Sequence, residues 1–352
     1  MTIHATLAKV FKQRADGAEF GIPLVGVFGE GVPLPLVAAL GGLAVDIKAP
    51  PLSDHPDGPH SEQIARIAEP FLDSFATRFL HRLAAGAFDR MAALIFARDD
   101  SAALAAYQYA TELRRQGRIA KAGPTFHLWN LLRSDSPAAK TFNQHELARL
   151  TVHLEGIMGT TLNPDHLSAA VDAETRRSRA LGSLPSGGPD AFVARNAGRW
   201  LAADDHAALL SDIPKGSGPA ITLVGTACDI PVLHAVAQEF GHVRADLQDY
   251  GRQTPQPADA VDLLRQIAED PLTCRAAPPL RFSRALEEGI KGSDLVIASS
   301  NTNDDCFGWE LPGLRTATQT EGIRFLDLGF RPFRPDDAWQ DHARTRIAEV
   351  LA

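Results

Sequence analysis

Eight short apolar runs give the two halves of the chain nearly the same layout. Successive runs start about 20, 48 and 33 residues apart in the first half and about 22, 52 and 29 apart in the second, within the uncertainty of strand boundaries. Continuous apolar runs of this length are typical of parallel strands buried on both faces. The sequence therefore predicts an α/β fold with two similar four-stranded parallel α/β units. The runs start near Pro23, Leu43, Met91, Pro124, Ala220, His242, Asp294 and Ile323.

A helical segment separates the two halves. The pattern is helical throughout 137–210, and the sequence IPKGSGP at 213–219 is typical of a connection between domains. We therefore predict a first α/β unit at 1–135, a helical linker at 136–215 and a second α/β unit at 216–352.

Composition excludes several classes of function. With 45% hydrophobic and 22% charged residues, the chain of 352 residues is typical of a folded protein with more than one core. The net charge of -8 argues against nucleic acid as a partner, since phosphate binding needs a basic surface. Without a signal-peptide core or an apolar run of membrane-spanning length, we expect a cytoplasmic protein with no membrane partner. The three cysteines contain no CxxC pair and are expected to stay reduced.

Polar residues follow the third strand of each predicted unit. Ligands of such sheets bind beyond the carboxyl ends of the strands, so the two loops would meet across one cleft if the units face each other. Clustered carboxylates can bind a hard metal or transfer protons, and a thiol can bind a softer metal or act as a nucleophile. The alternative is that each Asp caps the next helix and that the thiol is inert. With Glu30 after the first strand, the candidates are Asp99, Asp100, Asp304, Asp305 and Cys306.

Two further features have a functional and a structural interpretation. Gly29-Glu30-Gly31 could cradle a phosphate, but it is not GxGxxG, and Asp46 is predicted inside the second strand, where it cannot reach a ribose. Trp129, Phe307 and Trp309 near strand ends could line the pocket of an organic ligand or belong to the core.

Five stretches carry a family resemblance that covers most of the chain. They are LVGVFGEGVPLPLVAALGGLAVDI, HELARLTVHLEGIMGTTLNPDHLSAAVDAETRRSRAL, ITLVGTACDIPVLHAVAQEFGHVRADLQDYGR, SDLVIASSNTNDDCFGWELPGL and GIRFLDLGF. These stretches resemble the D-component of 2-hydroxyacyl-CoA dehydratases and the related benzoyl-CoA reductase subunits. The resemblance implies the same fold of two α/β units joined by helices.

The resemblance also implies an iron–sulfur site, and this chain lacks two of its three cysteine ligands. Family members hold one [4Fe–4S] cluster with three cysteines, and the matching positions here are Ser74, Asp99 and Cys306. Since only Cys306 supplies a thiolate, we expect no stable [4Fe–4S] cluster. By resemblance, Ser74, Asp99 and Cys306 are candidate catalytic residues and Cys306 is a candidate metal ligand. Glu30 is a further catalytic candidate because it follows the first strand. Asp100, Asp304 and Asp305 are candidate cofactor contacts.

Three functions remain open. In the first, the chain is a cluster-free subunit that pairs with a cluster-bearing paralogue. In the second, it is a diverged lyase or a free-standing protein that binds acyl-CoA or a small acid. In the third, it holds an altered cluster or a mononuclear metal through Cys306 and carboxylates.

We expect a homodimer or a pair with a paralogous subunit. A face of Leu147, Leu150, Leu154 and Ile157 on a linker helix would form the contact. The alternative is that the helix starting at Asp165 covers these residues through Leu167 and Val171.

Overall fold

The computed structural model describes residues 4–14, 21–53, 61–99, 101–184, 187–210, 216–226, 228–252, 255–273, 276–304 and 306–352. The strands of the first half are β1 (Leu24–Phe28), β2 (Leu43–Asp46), β3 (Ala93–Ala97) and β4 (Thr125–Trp129). Those of the second half are β5 (Ala220–Gly225), β6 (His242–Asp246), β7 (Leu295–Asn301) and β8 (Arg324–Arg331).

Two all-parallel sheets of four strands confirm the predicted fold class. The first sheet has the order β2-β1-β3-β4 and the second has the order β6-β5-β7-β8. The second half therefore repeats the topology of the first. Strands β3 and β7 are buried along their whole length, as expected for inner strands of sheets that helices cover on both faces.

Helices flank each sheet and form the linker. The first unit contains α1 (Ala5–Gln13), α2 (Leu34–Ala39), α3 (Glu62–Ala65), α4 (Ser74–Ala84) and α5 (Ser101–Arg115). The linker contains α6 (Pro137–Met158), α7 (Pro164–Gly182), α8 (Pro189–Ala197), a 3-10 turn (Gly198–Trp200) and α9 (Ala203–Leu209). The second unit contains α10 (Val232–Gln238), α11 (Arg265–Glu269), α12 (Pro279–Gly289), a 3-10 turn (Phe307–Glu310), α13 (Leu311–Glu321) and α14 (Asp337–Leu351). Within the described ranges, none of the helices has both the length and the apolar character that crossing a bilayer requires.

One predicted helix is much shorter than its pattern suggests. The sequence favours a helix at about 258–269, whereas α11 covers only Arg265–Glu269. The Asp262 carboxylate accepts hydrogen bonds from the backbone N–H groups of Leu264 and Arg265, so it starts the helix at that point. Short polar side chains favour such local bonds over a continued helix.

A glycine ends the first strand of each unit at an equivalent place. Gly29 follows β1 with φ of +98°, and an added Cβ there would lie 2.9 Å from the carbonyl oxygen of Ala97. Gly225 ends β5 with φ of +113°, and its Cβ would lie 2.0 Å from the carbonyl oxygen of Ser299. Only glycine permits both the conformation and the close approach to the neighbouring strand.

The leucine face of the linker is covered by the chain itself. Leu150 and Leu154 are fully buried in one cluster with Val25 and Ile95 of the first sheet. Leu147 is half-buried and also packs with Leu167 of α7. The proposed contact surface for a second subunit was therefore wrong, because these side chains complete the core of the first unit.

A buried ionic cluster ties the two units together. The Asp229 carboxylate, after β5, accepts hydrogen bonds at 2.6 Å from both Arg14, at the end of α1, and Arg334, after β8. The side chains of Arg14 and Asp229 are fully buried. Arg14 also donates to the carbonyl of Pro50, and Arg334 to that of Pro51. We call Arg14, Asp229 and Arg334 the ionic clamp.

We predict that Asp229→Asn lowers the free energy of unfolding by about 3–5 kcal/mol, because it leaves two buried guanidinium groups without their anion. Urea denaturation measures this change. The matched control is Glu62→Gln, which removes the exposed partner of Arg66 and should cost less than about 1 kcal/mol. A loss for Asp229→Asn as small as that of the control would contradict this role of the clamp.

Candidate functional site

Two cavities lie at the carboxyl ends of the strands. The small cavity encloses about 30 Å³ between the two units. The large cavity has a volume of about 260 Å³, lies between the carboxyl edge of the first sheet and the linker, and is partly open to solvent. Both are found where α/β sheets normally bind ligands.

The small cavity brings together three of the predicted site residues. Glu30, Asp99 and Asp304 line it, with Thr226 and Phe307 from the second unit. Nearby, the Asn303 side chain donates to the carbonyl of Leu72 at 2.9 Å, so the loop after β7 contacts the segment before α4. The loops of the two units thus meet, as the sequence predicts.

The carboxylates of this cavity accept hydrogen bonds from nearby backbone N–H groups. Asp99 Oδ2 accepts from the Glu30 N–H at 2.7 Å, which joins the loops after β3 and β1. Asp304 Oδ1 accepts from the N–H groups of Cys306 at 3.1 Å and Phe307 at 2.7 Å, and thereby caps the following 3-10 turn. Asp304 thus has the capping role that is the structural alternative for these aspartates. Asp100 and Asp305 lie outside the described residues.

Ser74 and Cys306 lie beside this junction. Ser74 is the first residue of α4, and the preceding Asp73 supplies the cap by accepting from the N–H of Phe75 at 2.8 Å. Cys306 is half-buried and precedes the 3-10 turn. Their catalytic and metal-binding roles remain predictions.

The residues at this junction do not fit a [4Fe–4S] cluster. Space of about 30 Å³ holds one or two water molecules, which is far less than a cluster needs. Cys228, the other described thiol, is buried and donates to the carbonyl of Ile230, and burial raises its pKa. A [4Fe–4S] cluster is held by Cys thiolates, and a raised pKa disfavours the thiolate form. In the described part of the chain, no group of three or more His, Cys, Asp or Glu side chains could hold a metal ion.

The loop after β1 does not fit a phosphate site either. The Glu30 N–H is bonded to Asp99, and the Leu34 N–H that opens α2 donates to Gln256 at 3.1 Å. Asp46 is the last residue of β2, not an inner one as predicted. Its Oδ1 accepts from the N–H of Lys48, so the carboxylate holds the turn after the strand.

The walls of the large cavity come from three parts of the chain. The strand ends supply Glu30 and Asp46, the linker supplies α7 and the segment from α8 to α9, and the second unit supplies Arg252 and Gln256. Its apolar wall includes Leu34, Leu43, Val45, Ala170, Ala173, Leu181 and Leu201. Most of the wall is therefore apolar, with charged groups at defined points.

Arg199 of the linker is the centre of the polar wall. It donates to Glu30 Oε1 at 2.5 Å and to Asn196 Oδ1 at 2.7 Å, and it lies 3.6 Å from Asp46 Oδ2. The hydroxyl of Tyr250, in the second unit, donates to the same Asp46 oxygen at 3.0 Å. Burial alone would lower the pKa of Arg199, but Glu30 and Asp46 raise it above the ordinary value. The guanidinium is therefore always charged.

A second polar group lies where α7 packs against α9. Glu174 and Arg177 of α7 form a buried ion pair, and Arg177 donates to the carbonyl of Gly198 at 3.3 Å. His206 of α9 is 1% exposed, and its Nε2 lies 2.8 Å from the carbonyl oxygen of Ala194. Burial raises the pKa of Glu174 and lowers the pKa of His206 to about 4.

Sequence reasoning missed the residues of this wall. Glu174 continues the buried stripe of Leu167, Val171 and Leu181 on α7, at spacings where an apolar residue is expected. The position of this charged residue in an apolar stripe was the one sequence signal that could have pointed to a buried polar group on α7. Arg199 and His206 gave no such signal.

The predicted aromatic residues have different roles. Trp129 is buried and its Nε1 donates to the carbonyl of Gly31 at 2.8 Å, so it supports the loop that carries Glu30. Phe307 is buried and lines the small cavity, while Trp309 is 85% exposed. None of the three lines the large cavity within the described residues.

No known family model and no curated protein matches this chain. The arguments for its function therefore come from its own residues.

We predict that His206 makes the protein less stable in acid. Its pKa of about 4 lies below the value of 6.5 in the unfolded chain, so the unfolded state binds a proton first as the pH falls. The stability that depends on neutral His206 is fully present above about pH 6.5 and is lost progressively as the pH falls toward 4. Between pH 7 and pH 5 the free energy of unfolding, measured by urea denaturation, should fall by about 2 kcal/mol more in the wild type than in His206→Gln. His342→Gln, at an exposed position, is the control and should behave as the wild type; equal losses in all three proteins would disprove the assignment.

Proposed function

We propose that the chain binds a small organic acid in the large cavity, as a binding protein or as an enzyme that acts on this acid. The observation that carries the proposal is the large cavity itself, at the carboxyl edge of the first sheet and bounded by the linker and by Arg252 and Gln256 of the second unit. This is the usual position of a ligand in such sheets.

The size and walls of the cavity support a compact ligand. About 260 Å³ is slightly below the usual range for drug-sized ligands and suits a molecule of a few carbon atoms. The apolar wall of Leu34, Leu43 and Leu201 would contact its hydrocarbon part. An acyl-CoA could place only its acyl group here.

Guanidinium groups in the wall support an acid. Arg177, Arg195, Arg199 and Arg252 all line the cavity. A guanidinium offers paired donors that match the two oxygens of a carboxylate. Asp270 at 2.6 Å and the carbonyl of Leu272 at 2.9 Å fix the Nη2 of Arg252, so a ligand carboxylate would need its other N–H groups.

We predict that Ala173→Phe weakens acid binding, because the phenyl ring would occupy part of the cavity that Ala173 lines. Ligand-observed NMR with a panel of short-chain acids, plain and substituted, measures binding, and butyryl-CoA and free CoA test for a thioester ligand. The expected loss of affinity is about tenfold or more, equivalent to about 1.4 kcal/mol. Ala169→Phe is the control, since residue 169 lies on the exposed side of the same helix. Failure of every acid to bind the wild type would refute the proposal.

A second candidate is a cluster-free subunit that pairs with a cluster-bearing paralogue. Its support is that two units of one topology flank a helical linker, as the family resemblance implies, and that their loops meet at Asn303 and Leu72. The partner would then supply the cluster. Association with a copy of this chain or with a paralogue remains a proposal.

We predict that anaerobic reconstitution gives no [4Fe–4S] cluster, because Ser74 and Asp99 replace two of the three thiolates that the family resemblance requires. Iron and sulfide assays and the absorbance near 400 nm test this in the full chain. The matched control is Cys306→Ala, which should give the same low iron content. A cluster band in the wild type that disappears in this variant would instead support the metal enzyme with altered ligands. Sedimentation of the same sample measures its association.

A further inference from the structure

We infer that two copies of the chain associate through an apolar surface at the junction of the two units, around the loop after β7. This inference names a surface for the association considered above. It is independent of the acid proposed for the large cavity, because association and acid binding are measured separately and either can fail alone.

Four large apolar side chains are exposed around the loop after β7, at 302–310. Their exposed fractions are 76% for Phe71, 73% for Leu280, 85% for Trp309 and 62% for Phe330. A single exposed apolar side chain needs no explanation, whereas a group of large ones in one place marks a contact site. We call these four side chains the apolar rim.

Hydrogen bonds hold two members of the apolar rim beside this loop. The Asn303 side chain donates to the backbone carbonyls of the residues before and after Phe71, at 3.4 and 2.9 Å. The Thr302 N–H donates to the carbonyl of Arg331 at 2.9 Å, which holds the preceding Phe330 next to the loop. Both aromatic side chains therefore lie near the start of the loop.

The other two members lie near the end of the loop. Trp309 belongs to the 3-10 turn that ends it. The Ser283 hydroxyl of α12 donates to Glu310 Oε2 at 2.7 Å, and Leu280 lies one turn before Ser283 on the same helix. Since Phe71 comes from the first unit and the others from the second, the apolar rim spans the junction.

The exposed area of the apolar rim matches what a stable dimer needs. Large aromatic side chains carry about 150–250 Å² each, so the rim exposes on the order of 600 Å². A standard interface covers about 800 Å² of each partner, of which about 60% is apolar. The apolar rim alone therefore supplies the apolar part of one face of such an interface.

The charged groups next to the apolar rim favour a second copy over a charged partner. Arg281 donates to the backbone carbonyls of Arg133 and Glu269, and Glu310 accepts from Ser283. A cation and an anion beside the rim are thus bonded within the chain, and the rim itself presents carbon. Under a two-fold axis the same rim on a second copy is an apolar surface of equal size, and each rim covers the other.

Sedimentation of the wild-type full chain at tens of micromolar tests the association, at low and at high sodium chloride. We expect a dimer whose affinity stays the same or rises with salt, because each chain has a net charge of -8 and salt screens their repulsion. A monomer at this concentration would overturn the inference. A dimer whose affinity falls about tenfold or more in high salt would also overturn it, since that contact would depend on opposite charges.

Variants test the surface. Trp309→Glu buries a charge in the contact and should weaken association about a hundredfold or more, whereas Trp309→Phe should keep the dimer. Val152→Glu is the matched control, since it makes the same kind of change at an exposed apolar position on α6, outside the apolar rim. If Trp309→Glu does not fold, as judged by urea denaturation, Leu280→Glu takes its place. Unchanged association in the rim variant, or an equal loss in Val152→Glu, would overturn the assignment.

Discussion

The contact of the half-buried Arg199 with two carboxylates at the strand ends is the constraint on which the cavity depends. A guanidinium partly removed from water is costly unless anions and hydrogen-bond acceptors surround it. Here Glu30 follows β1, Asp46 ends β2, and Asn196 belongs to the linker. Tyr250 of the second unit bonds to Asp46 and lies against the same guanidinium. One cation thus fixes the linker and both units around the same space.

This constraint explains why the larger cavity lies beside the first sheet. The linker bends at Gly198–Trp200, where Trp200 donates to the backbone carbonyl of Asp46 and Arg199 reaches Glu30. That bend closes the edge of the first sheet but leaves a volume between α7 and the strand ends. The junction of the two units holds only about 30 Å³, because backbone N–H groups and carboxylates already fill it.

The sequence predicted the fold well and the larger cavity poorly, for physical reasons. Buried parallel strands need continuous apolar runs, so β1, β3, β5 and β7 leave a clear pattern. The contacts of Arg199 with Glu30 and of Asp229 with Arg14 join residues 169 and 215 positions apart, and no periodicity records them. Glu30, Asp99 and Asp304 were found because they follow strands, whereas Glu174 and His206 lie within helices. Asp46 was misjudged because a single residue at a strand end decides where its side chain points.

The ionic clamp also determines how a ligand exchanges with solvent. Separating the two units would expose Asp229 and break the bonds of Arg14 to the carboxylate and carbonyl of Asp229. It would also break the bonds of Arg334 to the carbonyls of Pro50 and Pro51. The large cavity is itself partly open to solvent. A ligand can therefore exchange while the clamp holds the two sheets still, and exchange is independent of any rotation between the halves of the molecule.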